Sequence, residues 1–383
     1  MKAQKTHIHL DAGLFIAMAV ALAGYVVIHR PNVARCDFGN FYFAARMVLD
    51  GARHALYDLD TQRIFQARFH PGTTLPFRNP PFALLPILCL AKLPELTAYT
   101  IWIAASFALL YQSFKVLAVE TGVFFENWPI LLTLLYMPLI SCMLHGQYSC
   151  VVLACYVLAY AQWKKGRAFV GGAILSIATL KFQLVLGMVA VLVLRRKWRE
   201  IAGFVSGCAV LLIISAWITG VRELLAYPNF LLHNELGLAD EFSTMANWKG
   251  LLTICGAYSV PLELTLSVAT ILWAAWVWKD LDRGFAAAVL AAMLVSHHLT
   301  VSDLTLTILP VYLGVKAVAL PRRFIIGIAL FLCFLPWALA FMHAPFALLG
   351  IPSIVALCWL GRGATRTAAL PEEPSADQLS AVH

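Results

Sequence analysis

Residues 195–219 read RRKWREIAGFVSGCAVLLIISAWIT: a basic cluster that runs, through Glu200, into an uncharged apolar stretch from Ile201 to Thr219. A bilayer's hydrocarbon core takes about 20 apolar residues at 1.5 Å each, so this stretch is long enough to cross it. The flanking arginines and lysine carry the positive-inside signal of a cytoplasmic loop. The same pairing recurs along the chain, with basic clusters at Lys164-Lys165-Gly166-Arg167, from Lys279 to Arg283, and at Pro321-Arg322-Arg323. Composition agrees. The chain is 61% hydrophobic and 13% charged, with a mean hydropathy of +0.79, whereas soluble domains carry about a quarter charged residues. The net charge of +8 is therefore anchoring charge, and a nucleic-acid partner is not expected.

Apolar segments are read at about 11–29, 96–118, 127–144, 148–163, 168–180, 182–194, 201–219, 260–278, 284–297, 303–319, 324–342 and 345–360. They predict an all-α polytopic membrane protein with about 11–13 transmembrane helices. The two short segments flanking Lys181 also suit a re-entrant hairpin. Pro80 to Leu93 is too short and proline-rich to span, and is expected to dip into the outer leaflet. No polar stretch can bury a core of its own, so residues 1–361 form one membrane domain. Residues 30–79 are its large external loop, and 362–383 are a polar, disordered cytoplasmic tail. The first apolar run lacks a small-residue cleavage site and is read as a retained helix. With the N-terminus inside, every basic cluster lands in the cytoplasm of an inner-membrane protein. The nine cysteines lack zinc-site spacing, and only Cys36 and Cys255 fall in external loops that permit a disulfide.

This topology sorts the polar residues. Asp37, Asp58, Arg78, His145, Gln147, Lys181, His233, Asn247, Lys249, His297, His298 and Asp303 all collect at the external face. After Asp37, the residues Phe38, Phe41, Tyr42, Ala45, Val48 and Leu49 recur at helical spacing, and Gly51 follows. An amphipathic helix on the outer leaflet is predicted. Asp37 reads as its N-cap, as a general base held at the membrane surface, or as both. In Phe77-Arg78-Asn79-Pro80-Pro81-Phe82, the prolines demand burial or a wet cavity, and Arg78 at its mouth is suited to a phosphate. His145-Gly146-Gln147 sits between two apolar runs. Lys181 stands alone in apolar sequence, where an ionisable side chain is either functional or snorkelling. Asn247-Trp248-Lys249-Gly250 re-enters a helix. His297-His298 and Asp303 have metal-ligand types, but no helical spacing gathers all three on one face, so no metal site is expected.

In this order the motifs resemble family 87 glycosyltransferases, the polyprenol-phosphate-mannose-dependent mannosyltransferases of the GT-C superfamily. The resemblance is carried by Asp37 with Tyr42-x-Ala44-Ala45, Gly51 with Leu56-Tyr57-Asp58, and Pro80-Pro81-Phe82-Ala83. Gly146-Gln147, Lys181, Asn247-x-x-Gly250-Leu251 and the Ser-His stretch ending in Asp303-Leu304 complete it. Two positions depart: Asn79 stands where the family often has an aromatic, and Ser149 where it has an Asn. The resemblance implies a GT-C-like bundle, inverting transfer from a polyprenyl-phosphate sugar to a lipid or glycan acceptor, and a catalytic aspartate in the first external loop. The residues fit that chemistry: Asp37 as base, and Lys181, Arg78 and Lys249 at the donor phosphate. Tyr42, Asp58, His145, Gln147, Asn247, His297, His298 and Asp303 would line the substrate pocket. No Gly-rich phosphate loop is present, so no nucleotide is implied, and no cofactor is expected. A transporter or lipid flippase, or a non-catalytic scaffold of an envelope complex, are the rival classes. The one-sided clustering of polar groups, without matched broken helices at the midplane, speaks against the first.

Overall fold

The computed structural model describes residues 36–72, 75–122, 135–235, 239–318 and 322–368, together with Ile16, Val20 and Gly24, which are helical. The rest of the first apolar run, the start of the 127–144 segment and the tail beyond Ala368 lie outside the described residues. Among the described residues the regular structure is helical throughout, with no strand. The chain is an all-α polytopic membrane protein.

In chain order the helices are α1 (Asp37–Leu49), α2 (Leu59–Ala67), α3 (Leu85–Leu90), α4 (Glu95–Thr121), α5 (Met137–His145) and α6 (Ser149–Lys164). They continue as α7 (Ala168–Ile177), α8 (Leu186–Leu194), α9 (Trp198–Thr219), α10 (Val221–Glu235), α11 (Trp248–Ile254) and α12 (Val260–Val277). The last are α13 (Leu281–Leu294), α14 (Ile308–Val318), α15 (Arg322–Phe341) and α16 (Gly350–Ala368). Among the described residues α4, α9 and α12 are long and apolar enough to cross a bilayer. Two bent pairs could add to them: α5 with α6, at 118°, and Ala168–Leu184 with α8, at 115°. Segments that read as separate spans are thus halves of bent pairs. The second bend falls in the 3₁₀ segment Ala178–Leu184, where Lys181 leaves helical geometry at φ −125°, ψ 72°.

Helix α13 is the centre of the bundle. It is apolar all round, and every residue from Gly284 to Leu294 is buried, as expected of a helix with neighbours on all sides. Its run of alanines lets α8, α12, α14 and α16 pack against it. At its start Phe285 meets the rings of Tyr156, Tyr160 and Trp163. Charged residues gather at this end: Asp282 accepts from Tyr160 and pairs with Lys316, while Glu120 pairs with Lys165 at 3.2 Å and Lys164 at 3.8 Å. At 1.5 Å per residue, the other end of α13 lies about 20 Å away. There begins the Ser296–Asp303 loop.

Two local expectations are corrected. Helix α1 is not an amphipathic helix lying on the leaflet: Phe38, Phe41 and Phe43 are each at most 2% exposed. Distant aromatics cover them, Tyr99 on Phe38, Tyr148 on Phe41 and Phe69 on Phe43. Nor is the tail irregular from Arg362, because α16 continues to Ala368. Cys36 and Cys255 are both free thiols, the first buried and the second exposed. Burial pushes the Cys36 thiol up to about 12.

Candidate active site

The site is organised by the three-residue turn, Gly146-Gln147-Tyr148, joining α5 to α6. Gly146 adopts φ +64°, and a Cβ there would lie 2.6 Å from the Cβ of Phe38. Only glycine permits both that backbone and that approach. Helix α4 clamps the turn from one side: Trp102 Nε1 donates to Gly146 O at 2.8 Å, and Tyr99 Oη donates to Leu144 O at 2.6 Å. The next three side chains each reach a different part of the molecule. The Gln147 amide donates to Asp37 Oδ2 at 2.5 Å. Tyr148 Oη donates to Ala83 O at 2.6 Å. Ser149 Oγ donates to Asp303 Oδ1 at 2.8 Å.

Asp37 is the first residue of α1, not its cap; Cys36 occupies the cap position and makes no side-chain capping bond. A carboxylate in the first turn still interacts favourably with the helix dipole. Asp37 is partly exposed, and its partner is an amide rather than a cation. Lys181 behaves differently. It is 6% exposed, and its Nζ donates to Asp303 Oδ1 at 2.5 Å and to Ser149 Oγ at 3.1 Å. Asp303 is fully buried; its Oδ2 also accepts from the Thr300 amide and hydroxyl, each at 3.0 Å, in a capping box.

The proline segment runs along this cluster. Asn79 Nδ2 donates to Leu180 O at 3.0 Å, tying Arg78-Asn79 to the Lys181 break. Tyr57 Oη donates to Asn79 O at 2.8 Å, and Tyr227 Oη to Arg78 O at 3.0 Å. The Arg78 Nε is buried without a hydrogen-bond partner, a feature that calls for a reason in a folded protein. From Pro80 onward the segment lines an apolar groove of about 320 Å³, together with Phe82, Phe182, Leu211, Tyr227 and Leu231. The groove lies along α9, whose Leu212 is 54% exposed.

A second group forms around the start of α11. Asn247 caps this helix by accepting from Gly250 N at 2.9 Å, and its Nδ2 donates to Ser296 O at 2.8 Å. Gly250 is required here, since a Cβ would fall 1.9 Å from Met245 O. Lys249 Nζ lies 2.9 Å from His297 Nδ1, and 4.7 Å from the centre of the Phe242 ring. His297 is exposed and His298 partly so.

Three expected pocket residues are engaged in structural hydrogen bonds. Tyr42 donates its hydroxyl to Leu93 O at 2.8 Å, pinning α1 to the α3–α4 loop. Asp58 is the N-cap of α2, accepting from Thr61 N at 2.6 Å. Its bonds to Thr61 hold its carboxyl below the usual range. His145 is exposed and turns Nδ1 back onto Ser141 O at 2.9 Å. Sequence reading missed Ser149 as a site residue and noted it only as a departure. A hydroxyl two positions after Gln147, at a helix start, was the available signal.

The sequence model of glycosyltransferase family 87 matches residues 77–302, well over half of the chain. Comparison with curated proteins and with solved structures returned no match. The matched stretch contains Arg78, Gln147, Ser149, Lys181, Asn247, Lys249 and His297, while Asp37 and Asp303 lie outside it. It makes this chain a member of glycosyltransferase family 87.

Proposed function

We propose that the protein transfers a hexose, mannose being the sugar the family resemblance implies, from a polyprenyl-phosphate donor to a lipid or glycan acceptor, with inversion, at the periplasmic face of the inner membrane. The observation that carries this reading is the state of Asp37: partly exposed, at the head of a rigid buried helix, and oriented by a neutral amide. An amide orients the carboxylate without the charge neutralisation a lysine would bring, as a general base requires. Asp37 takes the proton of the acceptor hydroxyl as that oxygen attacks the anomeric carbon. The carbon–oxygen bond to the phosphate breaks on the opposite side, and polyprenyl phosphate leaves with the electron pair.

The anion that departs needs cationic or hydrogen-bonding help. Arg78 supplies it in this reading: its Nε is unpartnered, and its carbonyl is bonded to Tyr227, which lines a groove suited to an isoprenoid chain. Lys249 is a second donor, with His297 and Asn247 shaping the pocket. Lys181, expected at the phosphate, has its charge answered by Asp303. The test is transfer of labelled mannose from polyprenyl-phosphate mannose in proteoliposomes, with the product identified. Folded protein that transfers no sugar from any polyprenyl-phosphate donor would end the proposal. Arg78→Gln should raise the donor KM by roughly 10- to 100-fold, the worth of about 1.5–3 kcal/mol in charge-assisted hydrogen bonds. An unchanged donor KM removes Arg78 from the phosphate site.

Orientation has its own check. Cys255 is a natural, exposed thiol at the end of α11, in a loop assigned to the periplasm by the basic clusters. An impermeant maleimide should label it in intact cells with a permeabilised outer membrane, and Cys255→Ser should remove that label. Labelling seen only after the inner membrane is broken would reverse the topology.

A further inference from the structure

We propose that the buried Lys181–Asp303 pair is a positioning element: through Ser149 it locks the α5–α6 turn and so fixes Gln147 against Asp37. The inference rests on the reading of Asp37 as the base. Lys181 and Asp303 stand 122 positions apart in sequence, and each comes from a break between helices rather than from a helix interior. Burying an ion pair is costly, so a retained pair points to a structural or functional demand for a fixed geometry. The bonding pattern shows which geometry is fixed.

Asp303 has no acceptor capacity to spare. Oδ1 accepts from Lys181 and Ser149, and Oδ2 accepts twice from Thr300. Four donors fill the four lone-pair positions of a carboxylate. It is therefore committed to its neighbours and is not a second base. Lys181 binds both Asp303 and the Ser149 oxygen, so Ser149 is held from two sides. Ser149 begins α6 two residues after Gln147. Between them Tyr148 is fully buried, bonded to Ala83 O, and its ring centre is 4.4 Å from that of Phe41 on α1. On the other side of Gln147, Trp102 fixes the Gly146 carbonyl. The Gln147 backbone is thus pinned on both sides. Its side chain occupies Asp37 Oδ2, which leaves Oδ1 to face an acceptor hydroxyl. A Lys181 serving this purpose is neutralised before any donor arrives. That separates a positioning role from direct contact with the donor phosphate.

The two roles differ in what survives when both charges are removed. Lys181→Met alone strands a buried carboxylate and should lower the melting temperature by about 5–15 °C. The double variant Lys181→Met/Asp303→Asn removes both charges, and should recover most of that loss with a donor KM within about threefold of the parent. Recovery of stability with a donor KM still raised about tenfold or more would overturn the proposal and return Lys181 to the phosphate. Ser149→Ala leaves the ion pair intact and cuts only its link to the turn. It should lower kcat by about 10- to 100-fold, the cost of misplacing a reacting group by a fraction of an ångström to 1 Å, with donor KM unchanged. An unchanged kcat in Ser149→Ala overturns the proposal, and this variant decides alone if the double variant does not fold. Failure of the base reading would show instead as wild-type turnover in Asp37→Asn. The melting temperatures of the charge variants need no activity at all.

Discussion

Asp37→Asn should fold and melt like the parent protein while turnover falls by about 10²- to 10⁴-fold, the usual contribution of a positioned general base. Asparagine keeps the shape of aspartate, and its oxygen can still accept from the Gln147 amide. What it loses is the ability to take a proton. The structure makes this variant cleaner than the sequence suggested, because Asp37 is not the cap of α1 and no capping bond is at stake. The remaining cost is one negative charge in the first helical turn, about 0.3–1 kcal/mol. Against that stand Phe38, Phe41 and Phe43, each buried against aromatics from other elements. The paired measurement is turnover in proteoliposomes and melting temperature in detergent. Wild-type turnover in Asp37→Asn would remove the base and with it the proposed mechanism.

The membrane architecture was legible because apolar runs with basic flanks depend only on local composition. The break at Lys181 was legible too, since an ionisable residue flanked by apolar sequence is hard to place inside a straight lipid-facing helix. Less visible was whatever depends on partners far along the chain. Residues following Asp37 show helical spacing, but nothing local says that Tyr99, Trp102 and Tyr148 will cover them, so α1 read as a surface helix. The N-cap assignment missed by one residue, the ordinary uncertainty of a helix boundary. Lys181 and Asp303 both read as external polar residues, yet their pairing spans 122 positions and sends no sequence signal. Ser149, where they meet, looked like a deviation. Gly146 announced a turn but neither its 118° bend nor the approach of Phe38 against it, which come from residues far along the chain.

Gly203→Leu should be the most damaging single change outside the site, because it forces apart two helices whose backbones touch. Helix α7 packs along α9. A Cβ on Gly203 would lie 1.9 Å from Phe169 O, one on Gly172 2.0 Å from Glu200 O, and one on Gly207 2.2 Å from Ser176 Oγ. Gly203 and Gly207 are four residues apart on α9, the small-residue spacing by which membrane helices gain contact where lipid offers no hydrophobic drive. Since the obstructing atoms are largely backbone, no rotamer change relieves the clash and the helices must separate. Overpacking typically costs about 1–3 kcal/mol even where side chains can adjust, so the melting temperature should drop by at least about 5 °C. Val205→Leu, on a residue 59% exposed on the same helix, is the control and should be silent. The damage should reach turnover as well. Helix α7 leads into the segment that carries Lys181, and Ser215 of α9 accepts from Phe82 N at 3.2 Å beside the apolar groove. Gly203→Leu with the parent's melting temperature would mean that α7 and α9 do not meet as described. Loss of stability and donor binding together, with Val205→Leu unaffected, would show that this glycine contact holds the Lys181 and Phe82 walls of the site in place.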